Sequence, residues 1–334
     1  MLMKRLPIET NIDFMSVRMI AFAISGLAII LSLALIPMRG LNFGIDFAGG
    51  TLVEISAPEG VETEDIRSSL TDLNLKDLQV TSATGTGANA QEIFVIRAAT
   101  SDDGVSASTS EEGEAPVVSS EADLVVATLQ EVFPQGDLEN PAWEVLRKEN
   151  VGPKVSHELL RAGLTALIVA LAFMLVYIWF RFELQFSIGA VLALVHDIIL
   201  TIGVFSLLQI DFNLTTIAAL LTIIGYSMND TVVVYDRVRE ELRKYKKMPL
   251  KDLINMSLNR TLSRTVLTSG TTLLALISIY TLGGEVLRGF SFALIWGIIV
   301  GTYSSIFVAS ALLLHTGLKR DRKADQQDAE KSFS

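Results

Sequence analysis

The chain has 334 residues and no cysteine, which excludes disulfides and thiolate metal sites, and it is 50% hydrophobic with a mean hydropathy of +0.45, too apolar for an ordinary water-soluble protein. Its net charge of −10 hides an asymmetry: residues 39–157 carry 7 Lys and Arg against 21 Asp and Glu, whereas residues 236–264 carry 9 against 4. An acidic region and a basic one are expected on opposite sides of a membrane.

Residues 1–18 read as a short amphipathic cytoplasmic N-terminus with Lys4, Arg5 and Arg18. Met19 to Met38 is an apolar run of 20 residues, long enough to span a bilayer. A signal peptide has a shorter apolar core and ends at a small-residue cleavage site. This run ends Ile-Pro-Met-Arg, so 19–38 reads as a retained first span. Leu41-Asn-Phe-Gly-Ile-Asp-Phe-Ala-Gly-Gly-Thr51 follows. Gly44, Gly49 and Gly50 there permit tight or positive-φ turns, and Asp46 reads as a turn or capping carboxylate.

Residues 39–157 read as one outer domain. Thr51–Ser56 alternates like a strand, and Glu62–Leu73 has helical periodicity with Thr63 as the expected N-cap. Leu78–Ala83 and Glu92–Ala98 read as strands around a turn at Gly85–Asn89. Residues 100–119 are rich in serine, glycine and acid and read as a mobile loop. Ser120–Phe133 is a second helix and Ala142–Glu149 a last strand, giving the β-α-β-β-α-β order of a ferredoxin-like α+β domain. Pro153 suits the first turn of the helix that re-enters the membrane. Residues 158–315 then hold five more spans, at about 162–180, 186–208, 212–235, 266–283 and 289–314. A basic loop over 236–264 and a tail over 316–334 are expected in the cytoplasm with the N-terminus, and the acidic domain outside.

The expected fold is therefore an α-helical polytopic membrane protein of six spans with one extracytoplasmic domain. Within it, Asp230 lies in apolar sequence, where a carboxylate costs about 2.5–3.5 kcal/mol on insertion scales and marks an ion or proton path. On a helical wheel Thr215, Thr216, Thr222, Tyr226 and Ser227 fall within roughly 80° of it, while Ile217, Leu221 and Val232 lie on the far side, expected to face lipid. Asn229, Thr231 and Thr268 add polar support. A packing seam of hydroxyls explains the threonines but needs no ionisable group. Asp197 is the second intramembrane acid, read either as a relay carboxylate or as an acceptor that locks helices together. Gly189, Ala190, Ala193 and Thr201 share its face, so a neighbouring helix can come close. Neighbouring His196 reads as a packing or hydrogen-bonding residue; with His157 and His315 it forms no metal cluster in sequence. Arg264 opens the fifth span, within a snorkelling reach of Asp230. Burial disfavours a charged carboxylate and a nearby guanidinium favours it. An acid whose arginine partner comes and goes would bind and release a proton; a static ion pair is the alternative.

Several stretches resemble one family over almost the whole chain. They are Gly44-Ile-Asp-Phe-Ala-Gly-Gly-Thr51, Val151-Gly-Pro-Lys154, His196-Asp197, Gly225-Tyr-Ser-Met-Asn-Asp-Thr-Val-Val-Val-Tyr-Asp-Arg237 and Asn259-Arg-Thr-Leu-Ser-Arg-Thr265. The chain is similar to the SecF family of protein-export subunits, in the RND superfamily. The resemblance implies half of an RND-type bundle in the bacterial inner membrane, completed by six spans of SecD as obligate partner. It implies work beside the SecY-SecE-SecG channel, with YajC and YidC as further associates and a translocating polypeptide as client. It implies use of the proton gradient to pull or release polypeptide late in export, with Asp230 and Arg264 in proton transport. Gly44, Asp46, Phe47, Gly49, Gly50 and Thr51 are its motif after the first span. The coupling ion is the proton; no cofactor, metal or enzymatic reaction is expected. The sequence has no phosphate-binding Gly-Lys-Ser/Thr loop, and the acidic outer domain argues against nucleic acid. Two rival readings are a small-molecule efflux pump of RND type, which usually has twelve spans, and an intramembrane aspartyl protease using Asp197 with Asp230.

Overall fold

A computed structural model describes residues 10–57, 61–73, 75–84, 92–99, 121–133 and 144–315. The expected turn at Gly85–Asn89, the loop at 100–119, the tail at 316–334 and residues 1–9 lie outside them. In chain order come α1 (Arg18–Arg39), α2 (Ile45–Ala48), β1 (Gly50–Ala57), α3 (Thr63–Ser69), β2 (Lys76–Thr84) and β3 (Glu92–Ala99). Then follow α4 (Glu121–Val132), β4 (Glu144–Val151), α5 (Pro153–Arg181), α6 (Leu184–Leu208), α7 (Leu214–Lys244) and α8 (Leu250–Leu282). The last span is α9 (Glu285–Ser304), a π-turn over Ser305–Ala309 and α10 (Ser310–Leu312). Six helices are long and apolar enough to cross a membrane.

The sheet has the order β2-β3-β1-β4 with every neighbouring pair antiparallel, the ferredoxin-like arrangement. Alternation along β1 puts Val53 and Ile55 on the face covered by α3 and α4, where they join Ile66, Phe94, Val125 and Leu129 in one core. The opposite face, with Leu52 and Val95, turns toward α2 and the bundle. The α3 cap differs from expectation by one residue: Glu62 is the N-cap, and its N–H donates to Asp65 at 2.9 Å. Asp65 sits three positions on from Glu62, the spacing that closes a reciprocal cap.

The stretch after α1 is the joint between domain and bundle. Gly49 and Gly50 have φ of +76° and +127°. Gly44 is different: its φ is −67°, and its value is close approach, since an added Cβ would stand 3.1 Å from the Asn213 Cβ. Its N–H donates to the Phe212 carbonyl at 3.0 Å. Asp46 is a capping carboxylate for another helix, accepting the Leu214 N–H at the start of α7 at 2.9 Å. Phe47 packs with Phe43 and Phe212 at ring separations of about 6 Å. The Thr51 hydroxyl donates to Glu121 at the start of α4 at 3.3 Å. An ion pair between Arg97 of β3 and Asp211 of the α6–α7 connection ties the sheet to the bundle directly.

Two expectations are corrected. The basic stretch 236–264 is not a loop: α7 runs on to Lys244 and α8 starts at Leu250. Hydropathy marks only the part of a helix that crosses lipid, whereas these extensions are held by charge. Glu241 is fully buried between Arg237, at 2.8 Å, and Arg260. α5 likewise starts at Pro153 behind its N-cap Gly152, ahead of the apolar run. The second correction concerns α7, whose supposed lipid face is packed. Ile217 is buried against α5 at Gly163, and Leu221 and Val232 pack on the same core. The face open to the outside is instead Thr215, Thr222 and Asn229. A wheel separates polar from apolar but does not say which side meets a neighbour.

The described N-terminal segment is strapped across α8. Ile12 exchanges two hydrogen bonds of 2.8 Å with the Asn259 amide. The Met15 N–H donates to Asn255 at 3.0 Å, and Asn255 donates in turn to Asp13 at 2.6 Å. That bond, and after it Lys251, hold the Asp13 carboxyl below its ordinary value of 3.8. Asp13 therefore supports docking fully above that value, and its contribution fades as pH falls through the lowered one. Replacing both Asn255 and Asn259 by alanine is expected to release the strap, each lost bond counting for about 1 kcal/mol net. Hydrogen exchange at Ile12 and Met15 checks it: amides as protected as in the unaltered chain would show that these side chains do not hold the segment.

Candidate functional site

Asp230 and Asp197 are 8% and 0% exposed, and both are held by hydroxyls from neighbouring spans. Thr265 of α8 donates to Asp230 Oδ1 at 2.6 Å, and Ser305 donates to Oδ2. Asp197 Oδ2 accepts Ser227 of α7 at 2.6 Å and Ser304 of α9 at 2.8 Å, while Oδ1 faces His196 Nδ1 at 2.9 Å. Ser304 and Ser305 are thus consecutive residues serving different acids. They stand where α9 passes into the π-turn, a backbone irregularity found frequently at functional sites. Small residues let the helices approach: Gly301 receives Ser227, and Gly297 lies so close to Ile223 that no Cβ fits.

The structure sorts the expected site residues. Ser227 belongs to Asp197 and not to Asp230. Tyr226 reaches Ser269 of α8 at 3.5 Å, and Thr231 is buried. Asn229 and Thr268 do not enter the site: Asn229 is exposed, and the Thr268 hydroxyl returns to the Arg264 carbonyl at 2.8 Å. Thr265, one position from Arg264, is the α8 residue that reaches Asp230. Arg264 itself lies well inside α8 rather than at its start, is exposed, and makes no ion pair among the described residues. A cleft of about 1410 Å³ opens between the extended ends of α7 and α8, lined by Val233, Asp236, Arg237, Arg260 and Arg264. Val233 is one turn from Asp230, so this charged cleft leads from the end away from the sheet toward the buried acid. Among the described residues the two acids share no hydrogen bond, and each is held by its own pair of hydroxyls.

Sequence reasoning gave no site role to Ser304 and Ser305, or to Ser25 and Tyr303 beside His196, and met Thr265 only as the end of a family stretch. The run Thr302-Tyr-Ser-Ser305 inside an apolar span was the available signal.

The chain thus has six candidate spans, a ferredoxin-like domain on a double-glycine joint and two buried acids. Residues 136–319 match the model of the protein export membrane protein SecD/SecF C-terminal region, and residues 34–57 match the SecD/SecF GG motif. The chain is 43% identical over 333 residues to a protein translocase subunit SecF from Cereibacter sphaeroides, covering 98% of each. It is 42% identical to a protein translocase subunit SecDF from Brucella abortus, covering 98% of this chain and 40% of that one. A crystal structure of SecDF from Thermus, described as a translocon-associated membrane protein, superposes with a TM-score of 0.76 at 36% identity, over 93% of this chain and 39% of that one. The chain belongs to the SecF family of protein translocase subunits. It is a multi-pass membrane protein of protein export, and that membership displaces the efflux reading.

Proposed function

We propose that the chain is the proton-coupled half of an export motor, working with SecD in the bacterial inner membrane to draw or release polypeptide late in translocation. Both termini then lie in the cytoplasm and the ferredoxin-like domain outside. The basic extensions of α7 and α8 support that orientation, since positive charge collects on the cytoplasmic side. The observation that carries the reading is Asp230, a carboxylate buried in a span and hydrogen-bonded by two hydroxyls, beside a charged cleft lined by the exposed Arg264. Uptake of a proton through the cleft would weaken the hold of Arg264, and its loss would restore it. The proton is the coupling ion, and no cofactor or bond-breaking reaction is part of the scheme.

The need for SecD follows from the outward stripe on α7. Lipid offers no partner to an amide such as Asn229, so a second set of spans must cover it. The SecDF relatives, of which this chain matches about two fifths, support SecD as that partner. SecY-SecE-SecG, YajC and YidC are the wider assembly expected around it.

The test is export into inverted membrane vesicles from cells lacking the chain, with and without it restored. Restoration should add a component of export that an uncoupler abolishes. Restored export that is indifferent to uncoupler would leave only a scaffold.

A further inference from the structure

The sheet has two edge strands, and they differ. β4 carries Glu144, Arg147, Lys148 and Glu149, and its pairing with β1 is interrupted by a register shift at Glu54/Ile55. Charge and irregularity on an edge strand are devices that keep another chain from adding to it. β2 pairs only with β3 among the described residues. Its own shift lies at its start, between Lys76 and Gln79, where Asp77 has φ of +51°. From Gln79 to Thr84 the pairing is regular, and the stretch Gln-Val-Thr-Ser-Ala-Thr has no charge and no proline. Alternate residues of an antiparallel strand turn their N–H and C=O away from the partner. This stretch therefore offers a row of main-chain donors and acceptors on its outer side.

Each face of the stretch borders a cavity. Register sets the sides: Thr81 lies opposite Val95, and Ser82 opposite Phe94. Val95 is on the bundle side of the sheet, and Phe94 is in the core under α3 and α4. On the bundle side a cavity of about 480 Å³ is lined by Thr81, Leu52, Val95 and Arg97 of the sheet and by Tyr280 and Phe292 of α8 and α9. On the other side a cavity of about 390 Å³ is lined by Ser82 and, around the start of α3, by Val61, Thr63 and Arg67. Gln79, Thr81 and Ser82 are exposed. A strand laid along β2 would send its side chains alternately to the two sides, one set toward each cavity.

We propose that the outer edge of β2, over Gln79–Thr84, is a docking site for an extended segment of the exported polypeptide, which adds to the sheet as a further strand. This rests on the reading above that the ferredoxin-like domain lies outside, where the client emerges. Exported chains differ in their side chains and share a main chain. An edge that bonds N–H and C=O holds any of them, and the cavities on either side leave room for alternate side chains. The absence of charge on the stretch suits the same role, because a fixed charge would repel clients of like sign at the directly opposite position.

The experiment exploits the absence of cysteine from the chain. A single cysteine replaces Thr81 or Ser82, and the full chain is tested with SecD in inverted membrane vesicles. An export precursor is stalled in transit by a folded C-terminal domain and carries one cysteine at successive positions in turn. A membrane-permeant oxidant is expected to link T81C to alternate positions of the precursor and S82C to the intervening ones, the period of paired strands. L146C on β4 is the control and should give no link. Links of equal yield at every position, or none from T81C and S82C, would overturn the proposal. A photoreactive side chain at position 81 that captures SecD instead of the precursor would overturn it as well. Uncoupler sensitivity of export is read in the same vesicles. Intact sensitivity without links overturns the docking and leaves the proton-coupled reading standing; lost sensitivity with alternating links does the reverse.

Discussion

Replacing Asp230 by asparagine is expected to abolish proton-dependent export stimulation while the protein still assembles with its partner. The asparagine carbonyl can accept from Thr265 as Oδ1 does, and the amide can donate to Ser305, whose oxygen also accepts. Packing is preserved and the structural loss is about 1 kcal/mol, the net scale of one altered hydrogen bond. What disappears is the ability to change charge. A charge moved across the membrane is worth about 2.3 kcal/mol per 100 mV, and the variant has no charge to move there. Uncoupler-sensitive export in vesicles should fall to the level without the chain, with co-purification of the partner unchanged. Full stimulation in the variant would reduce Asp230 to an acceptor for two hydroxyls.

The second large effect is expected from Gly50→Val at the joint. Gly50 has φ of +127°, a region that a β-branched residue avoids, at a strain of about 1–3 kcal/mol. Its Cβ would also run into the Ala98 carbonyl of β3, backbone that cannot swing aside. Gly50 starts β1 opposite Val151 of β4, so relief means breaking the centre of the sheet. The ferredoxin-like domain should lose its fold while the spans remain inserted, seen as rapid protease cleavage within residues 50–151. Gly44→Ala, at an ordinary φ of −67° with one close neighbour, should be much milder. Equal protease resistance for Gly50→Val and the unaltered chain would show that the joint tolerates a side chain.

The spans and the order of the ferredoxin-like domain were readable because each rests on a local pattern. Apolar runs near 20 residues mark spans, and alternation with two helical stretches marks β-α-β-β-α-β. Asp230 and Asp197 stood out because ionisable groups are rare in such runs. What stayed hidden depends on contacts between distant segments. Thr265 meets Asp230 across 35 positions, and Ser304 meets Asp197 across 107. Hydroxyls are common in spans, and nothing local says which will meet a carboxylate. The faces of α7 were misjudged for a related reason: periodicity does not separate lipid from a neighbouring helix. Helix ends ran past their apolar cores because Glu241, with Arg237 and Arg260, supports helix where hydropathy has already fallen.

The outward stripe of Thr215, Thr222 and Asn229 has a bearing on how cells keep this protein. A copy made in excess would hold an amide among acyl chains, the kind of blemish by which membrane quality control can tell an orphan from an assembled subunit. On the proposed pairing, matched synthesis with the partner then follows from the surface itself. Encoding both in one polypeptide meets that requirement by making the ratio impossible to unbalance.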